Sequence, residues 1–230
     1  MTLNIGILVF PNVQQLDLTG PYEVFATILD AKLHLIWKDR LPLGSATGLV
    51  LTPTTTFGDC PALDVLCVPG GAGVNALLTD SEVLEFLRSE GRRVRYLTSV
   101  CTGSLVLGAA GLLKGRRATT HWASHDFLEK LGAIPTHGRV VRDGNLFTAG
   151  GVTAGIDFAL TVVAELQGEA QAQAIQLGLE YAPAPPFRSG TPEEAPPAVL
   201  DAVRQRLGPM TEARRAIIDE LAASRSSVAS

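Results

Sequence analysis

The cysteine at a predicted strand-to-helix junction is the residue in this sequence best placed for chemistry. Cys101 follows the apolar run from Tyr96 to Val100 and precedes small residues that open a helix at Gly103. This order is typical of a nucleophile elbow, with cysteine in place of serine. The positive end of the helix dipole favours the thiolate, the nucleophilic form of the side chain. The alternative is a structural thiol, because free cysteine is among the most buried residue types.

The other two cysteines lack such surroundings. Cys67 lies inside the apolar run from Val65 to Val68, and Cys60 lies in a predicted loop without an activating neighbour. An odd number of cysteines without a paired framework is typical of a reducing compartment. The N-terminal apolar run has no basic region before it and reaches Pro11 too early for export or membrane spanning. We therefore expect a cytoplasmic protein.

A carboxylate beyond the first predicted strand is the second candidate for chemistry. Leu3 to Phe10 predicts a buried strand, and Asp17 follows it. Carboxyl ends of parallel strands share one crevice, so we expect Asp17 and Cys101 to lie together. An apolar crevice would raise the pKa of Asp17 toward a value useful for proton transfer. The alternative is a loop or capping carboxylate beside a helix that Gly20 and Pro21 are predicted to open.

Glycines after two predicted strands complete the set of candidate site residues. Gly70 and Gly71 follow the strand Asp64 to Val68, and we expect their N–H groups to polarise an adduct as an oxyanion hole does. The alternative is a tight strand-to-helix turn; the loop lacks the GxGxxG spacing of a dinucleotide site. A second glycine pair, beginning at Gly150, is expected to bring another loop to the crevice, with Val152 as an apolar wall.

The histidines do not predict a metal site. His121 and His125 have the i, i+4 spacing that binds a metal from one helix face, but the intervening Glu of HExxH and a third ligand are missing. His34 and His137 are expected to have structural roles. No metal or organic cofactor is predicted.

The order of predicted elements defines the fold that must position these residues. Strands alternate with helices, which predicts a right-handed α/β three-layer sandwich with a mostly parallel sheet and helices on both faces. With 230 residues, of which 46% are hydrophobic, the chain is long enough for one sizeable core. We expect a single domain over residues 1–230, in which residues 182–230 form a Pro-rich segment and a C-terminal helical extension of two charged stretches.

Several element boundaries are predicted from local signals. Ser81 is expected to cap a helix, the segment Arg117 to Thr120 to form an edge strand, and Trp122 to Leu131 to form a helix. Asp143 and Gly144 are a strong signal for a hairpin between the last two strands.

Four motifs in this order resemble the ThiJ/PfpI superfamily. They are Pro69-Gly70-Gly71, Ser99-Val100-Cys101-Thr102-Gly103, Arg117-Ala118-Thr119-Thr120-His121-Trp122, and Asp143-Gly144-Asn145 ending in Thr148-Ala149-Gly150-Gly151. The resemblance implies a class I glutamine amidotransferase-like, flavodoxin-like fold.

Three further stretches, 10–21, 100–111 and 179–187, resemble bacterial isocyanide hydratases within that superfamily. This resemblance implies an isocyanide substrate, Cys101 as nucleophile, Asp17 as acid/base partner and Thr102 as support for the reacting group. The isocyanide carbon accepts a thiolate and must gain a proton, so a thiol and a carboxylic acid suffice. We expect a thioimidate that water opens to an N-substituted formamide, without a cofactor. Superfamily members are commonly homodimers, and apolar positions in Ala198 to Leu221 offer a pairing surface.

Other functions of the superfamily fit the residues less well. Peptidase-like members have a histidine directly after the cysteine, where this chain has Thr102, although His121 stays a candidate base. Redox-sensing and glyoxalase-like members, the principal alternative, typically use a glutamate where this chain has Asp17. Tyr181 either reaches the crevice or packs there. The net charge of −4 disfavours nucleic acid and anionic membranes as partners, and hence a DNA-binding regulator.

Overall fold

The computed structural model describes residues 2–228, which form eleven strands and eight α-helices. The strands are β1 (Leu3–Leu8), β2 (Ala31–Trp37), β3 (Leu43–Gly44), β4 (Val50–Leu51), β5 (Thr55–Thr56), β6 (Val65–Val68), β7 (Tyr96–Val100), β8 (Arg117–Ala118), β9 (Ile134–Pro135), β10 (Val140–Asp143) and β11 (Leu146–Ala149). The helices are α1 (Gln15–Ala26), α2 (Val74–Leu77), α3 (Ser81–Gly91), α4 (Gly103–Ala109), α5 (Phe127–Lys130), α6 (Ala154–Gln167), α7 (Glu169–Gly178) and α8 (Pro197–Val228).

Seven strands form the central sheet in the order β10-β11-β7-β6-β1-β2-β5. Every pairing in it is parallel except the β10–β11 hairpin. Strands β6 and β7 are buried along their whole length, as expected for apolar strands covered on both faces. One helical group consists of α1, α6 and α7, and another surrounds α4. The predicted α/β fold with a mostly parallel sheet is confirmed.

The first helix begins earlier than the sequence indicated. Gly20 and Pro21 lie inside α1, which begins at Gln15. The chain turns sharply before it, with Asn12 at φ 59°, and the N–H of Gln14 donates to the carbonyl of Gly70. These contacts set the start of the helix, so the prediction from proline position was wrong. The earlier start places Asp17 in the first turn of α1.

Of three other local predictions, two were wrong. Asp80 caps α3 in place of Ser81, because its carboxylate accepts the N–H of Val83. The predicted edge strand is confirmed as β8, which spans only Arg117–Ala118 and pairs with β9 in a separate two-stranded sheet. The predicted helix from Trp122 to Leu131 is divided into a 3-10 turn, Trp122–Ser124, and the short helix α5.

The C-terminal part is one long helix instead of two. Residues 182–196 form no helix or strand, and α8 then continues for 32 residues with Pro209 inside it. It packs on α2, α5 and the 3-10 turn, with Arg214 and Ile218 fully buried. Among residues 2–228, no helix combines the length and the apolar character needed to cross a membrane.

Candidate active site

Cys101 occupies a tight, strained turn between β7 and α4. Its backbone has φ 54°, in the left-handed region that non-glycine residues adopt rarely and often at functional sites. Its N–H donates to the carbonyls of Ala149 (3.0 Å) and Gly150 (2.9 Å), and its carbonyl accepts the hydroxyl of Thr120 (2.9 Å). Contacts from two segments, one at Ala149 and Gly150 and one at Thr120, thus hold the turn.

The Cys101 thiol is buried, with 6% of the residue exposed, and faces polar groups. The backbone N–H groups of Thr102 and Val152 point to the sulfur, as does the carboxyl group of Asp17. Burial raises the pKa of the Cys101 thiol, and the charge of Asp17 raises it further, against the opposing effect of the two N–H groups. Burial therefore outweighs the two N–H groups that favour the thiolate.

Asp17 is fully buried beside this thiol. Its Oδ2 accepts the N–H of Gly70 at 2.9 Å, whereas Oδ1 has no hydrogen-bond partner among the described residues. Burial raises the pKa of Asp17 to about 7, although the Gly70 N–H and Cys101 act in the opposite direction. The shift has the direction expected for a carboxyl group in an apolar crevice. The buried oxygen without a partner is the group available to a substrate.

The glycine loop after β6 holds Asp17 and Thr102. The N–H of Gly71 donates to Thr102 Oγ1 at 3.1 Å, and that of Gly70 to Asp17. Both N–H groups are therefore occupied, so the expectation that they polarise an adduct is not supported. A Cβ atom at Gly70 would lie 2.6 Å from Thr102 N and 2.9 Å from Asp17 Oδ2. The loop needs glycine because backbone and catalytic candidates approach so closely.

The loop after β11 contributes backbone groups to the elbow. The carbonyl of Gly150 accepts the Cys101 N–H, and its own N–H donates to Arg139 at 3.0 Å. Val152 was predicted as an apolar wall; its backbone N–H faces the thiol, and its side chain is half-buried. The segment thus belongs to the crevice through its main chain.

His121 and Tyr181 make contacts that the sequence left open. His121 Nδ1 accepts the N–H of Ala123 at 3.3 Å, and burial lowers the pKa of this imidazole. Its ring packs near Gly151, where an added Cβ would lie 3.0 Å from His121 Cδ2. Tyr181 donates its hydroxyl to Asp157 on α6 at 3.1 Å, which attaches the segment after α7 to that helix.

Sequence reasoning missed a buried arginine. Arg214 on α8 is 1% exposed; its charge acts on His121, and the charge of an ionised Cys101 acts on it. Asn75 on α2 and Ser124 on the 3-10 turn hold its guanidinium. One arginine in a charged helical stretch carries no local signal of burial. Among residues 2–228, no three His, Cys, Asp or Glu side chains form a group that would hold a metal ion.

The strained cysteine turn on a mostly parallel sheet defines a class of protein. Comparison with known families identifies that class. The DJ-1/PfpI family model matches residues 4–165, and the chain belongs to this family.

Relatives and solved structures agree with this assignment. The isonitrile hydratase of Pseudomonas putida is 64% identical over 223 residues, which cover 97% of this chain and 98% of that protein. A ThiJ/PfpI family protein from Pseudomonas syringae has a crystal structure with a TM-score of 0.92 and 45% identity, covering 95% of this chain and 91% of its own. Drosophila melanogaster DJ-1beta shares the fold, with a TM-score of 0.70 at 22% identity, covering 80% of this chain and 100% of its own.

Proposed function

We propose that this protein is an isocyanide hydratase that converts an isocyanide and water to an N-substituted formamide. The observation that carries the proposal is the buried pair of Cys101 and Asp17, in which one carboxyl oxygen has no partner among the described residues. The near full-length similarity to the Pseudomonas putida isonitrile hydratase supports the same reaction. An isocyanide carbon needs both a nucleophile and a proton, and this pair supplies them.

The first half of the reaction transfers the proton of the pair to carbon. Since the pKa of Asp17 lies near 7, its carboxylate and its protonated form are both populated at neutral pH. The Asp17 carboxylate takes the proton of the Cys101 thiol as the sulfur bonds to the terminal isocyanide carbon, and Asp17 then delivers this proton to the same carbon. The product is a thioimidate, in which carbon carries one hydrogen, the sulfur and a double bond to nitrogen. Asp17 is left as the carboxylate.

The second half adds water. The Asp17 carboxylate takes a proton from a water molecule, whose oxygen bonds to the thioimidate carbon, and that proton passes to the nitrogen. The tetrahedral intermediate then collapses: the carbon–sulfur bond breaks, the oxygen becomes the formamide carbonyl, and its hydroxyl proton returns to the Cys101–Asp17 pair. All atoms balance without a metal or an organic cofactor.

Neighbouring groups assist at the sulfur. The N–H groups of Thr102 and Val152 stabilise negative charge there before attack and after the carbon–sulfur bond breaks. The Thr102 hydroxyl accepts the Gly71 N–H, so it helps to hold the glycine loop that fixes Asp17. We assign Thr102 this supporting role, and Gly150 the role of holding the cysteine turn.

The experiment compares two buried cysteines, Cys67 on β6 and Cys101 in the turn after the neighbouring strand β7. Formamide production from a simple aryl isocyanide is followed by ultraviolet absorbance, without added metal, for the native protein, Cys101→Ala and Cys67→Ala. We expect Cys101→Ala to lose activity by at least about 10³-fold, since it removes the nucleophile. The Cys67→Ala protein should keep most of it, because Cys67 is buried inside β6. Equal activity of native and Cys101→Ala proteins would refute the proposal.

The redox-sensing alternative requires an accessible thiol with a low pKa. Cys101 is instead buried, and burial raises its pKa. These two properties favour the hydratase. An absence of turnover, together with fast oxidation of Cys101 by peroxide, would reverse this preference.

We further propose a cytoplasmic, single-domain protein that acts on a small molecule as a homodimer. The N-terminal part of α8 offers an apolar strip for pairing, formed by Ala198, Val199, Ala202 and Val203, in which Val199 is 46% exposed. Sedimentation at working concentration tests the dimer, and a single monomeric species would contradict it.

A further inference from the structure

Arg214 is a fully buried cation whose hydrogen-bond partners are neutral. Its Nε donates to Asn75 Oδ1 at 2.8 Å and its Nη1 to Ser124 Oγ at 3.0 Å. Its Nη2 is buried and has no hydrogen-bond partner among the described residues. The next residue, Arg215, instead pairs with Asp126 at 3.1 Å and is more than one third exposed. Arg214 is therefore built into the protein for something other than a surface ion pair.

A buried guanidinium is costly unless a negative charge lies near it. Among the residues that the structure describes, no carboxylate forms a salt bridge with Arg214. Cys101 is the group whose negative charge acts on Arg214 when its thiol is ionised. The same cysteine forms a pair with Asp17, and this pair carries one negative charge whenever it holds one proton.

The residues that hold Arg214 belong to segments that also build the crevice. Asn75 lies on α2, directly after the glycine loop that fixes Asp17 and Thr102. Ser124 ends the 3-10 turn that begins after His121, whose ring packs beside Gly151. Helix α8 thus places a buried positive charge against two segments that build the crevice, from a region beyond residues 4–165, the part matched by the family model.

We propose that Arg214 is the counter-charge of the Cys101–Asp17 pair. It is a positioning residue that acts through this pair and stabilises its negative charge, whether that charge lies on sulfur or on the carboxylate. The titratable groups act on one another in pairs: Asp17 from α1 with Cys101 from the elbow, Cys101 with Arg214 from α8, and Arg214 with His121 before the 3-10 turn. The importance of this charge for turnover rests on the proposed function, whereas its effect on the thiol does not.

The test is the pH dependence of Cys101 alkylation by iodoacetamide, with the modified residue identified by peptide mapping. In Arg214→Gln, the pH at half-maximal alkylation should rise by about one unit, because the thiolate loses its counter-charge. Arg214→Lys should restore most of the native profile. The matched control is Arg215→Gln, which removes the same charge from the exposed neighbour and should leave the profile unchanged. An unchanged profile in Arg214→Gln, or an equal shift in Arg215→Gln, would overturn the proposal.

Two further variants separate charge from folding. Asn75→Asp keeps the side-chain shape but places a carboxylate on the guanidinium, so it should raise the alkylation pH even if Arg214→Gln fails to fold. Ser124→Ala removes one neutral contact and keeps the charge, so its alkylation profile should stay native. A purely structural role predicts the reverse, with Ser124→Ala resembling Arg214→Gln.

Kinetics with a neutral aryl isocyanide add the link to turnover. Arg214→Gln should lower kcat about tenfold and change KM less than about twofold, since the charge assists chemistry and not binding. A shifted alkylation profile in a protein without hydratase activity would retain the Arg214 inference and refute the proposed function. Hydratase activity of the native protein, together with an unchanged alkylation profile in both Arg214→Gln and Asn75→Asp, would retain the proposed function and refute the Arg214 inference.

Discussion

Two carboxylates on neighbouring helices show how the crevice differs from the scaffold around it. Asp157 on α6 is held by the Arg139 guanidinium at 2.7 Å and by the Tyr181 hydroxyl at 3.1 Å. Asp17 on α1 is buried more deeply, contacts no cation directly, and leaves one oxygen without a partner among the described residues. A carboxylate that is paired with a cation attaches one element to another. A buried carboxylate with an unused oxygen and a raised pKa is ready to transfer a proton.

Replacement of these two carboxylates gives the largest expected contrast. Asp17→Asn removes the proton donor and acceptor and should lower kcat by about 10²- to 10⁴-fold. Asp157→Asn should change kcat less than about threefold, because Asp157 contacts Arg139 and Tyr181. Steady-state kinetics with the aryl isocyanide, with circular dichroism as a check on folding, measure both. Substantial activity in Asp17→Asn would remove that residue from the mechanism.

Two glycines extend the comparison to the backbone. Gly70→Ala places a Cβ within 2.6 Å of Thr102 N and should lower kcat/KM by more than about tenfold through displacement of Asp17 and Thr102. Gly178→Ala adds a Cβ that meets nothing within 4 Å at the end of α7 and should leave kinetics unchanged. Native kinetics in Gly70→Ala would show that the close approach of this loop is not needed.

The stability of the protein should depend on pH through Asp17. Its pKa is raised from 3.8 to about 7, so the folded state binds this proton more tightly than the unfolded chain does. The resulting stabilisation is fully present below about pH 4 and is lost as the pH rises through 7, with a total of about 4 kcal/mol. Urea unfolding from pH 4 to 8 should show that Asp17→Asn lacks this decline and that Asp157→Asn keeps it. Parallel declines in native and Asp17→Asn proteins would contradict the raised pKa.

The smallest effect is expected at Tyr181, in the segment after α7. Tyr181→Phe removes the hydroxyl that reaches Asp157, and it should lower the free energy of unfolding by about 1 kcal/mol while kcat changes less than about twofold. Urea unfolding and steady-state kinetics measure the two quantities. A large loss of kcat would place Tyr181 in the crevice after all.

The parts of the site that the sequence predicted are those set by local pattern. Cys101 is marked by an apolar strand followed by small residues, and Asp17 by its place after the first strand. The parts of the site that sequence reasoning missed depend on contacts between residues that are distant in sequence. The occupied N–H groups of Gly70 and Gly71 follow from the packing of Asp17 and Thr102 against that loop. Burial of Arg214 follows from how α8 docks, which a charged helical pattern does not encode.

The boundaries of helices and strands divide in the same way, into those set by local sequence signals and those set by distant contacts. The β10–β11 hairpin and the long helix α6 were predicted because turn residues and helical periodicity act locally. The start of α1 was not, since tertiary contacts of Gln14 with the Gly70 loop set it. Similarly, β8 pairs with β9, a partner that periodicity alone does not reveal.

The most direct test of the central claim is detection of the covalent intermediate. Protein turning over an aryl isocyanide is quenched with acid and mapped by peptide mass spectrometry, for the native protein and for Asp17→Asn. We predict an adduct with the mass of one isocyanide on Cys101 in the native protein, and much less of it in Asp17→Asn, because that variant lacks the group that delivers the proton to carbon. Formamide production while Cys101 stays unmodified in every quenched sample, or an adduct confined to Cys60 or Cys67, would contradict the account.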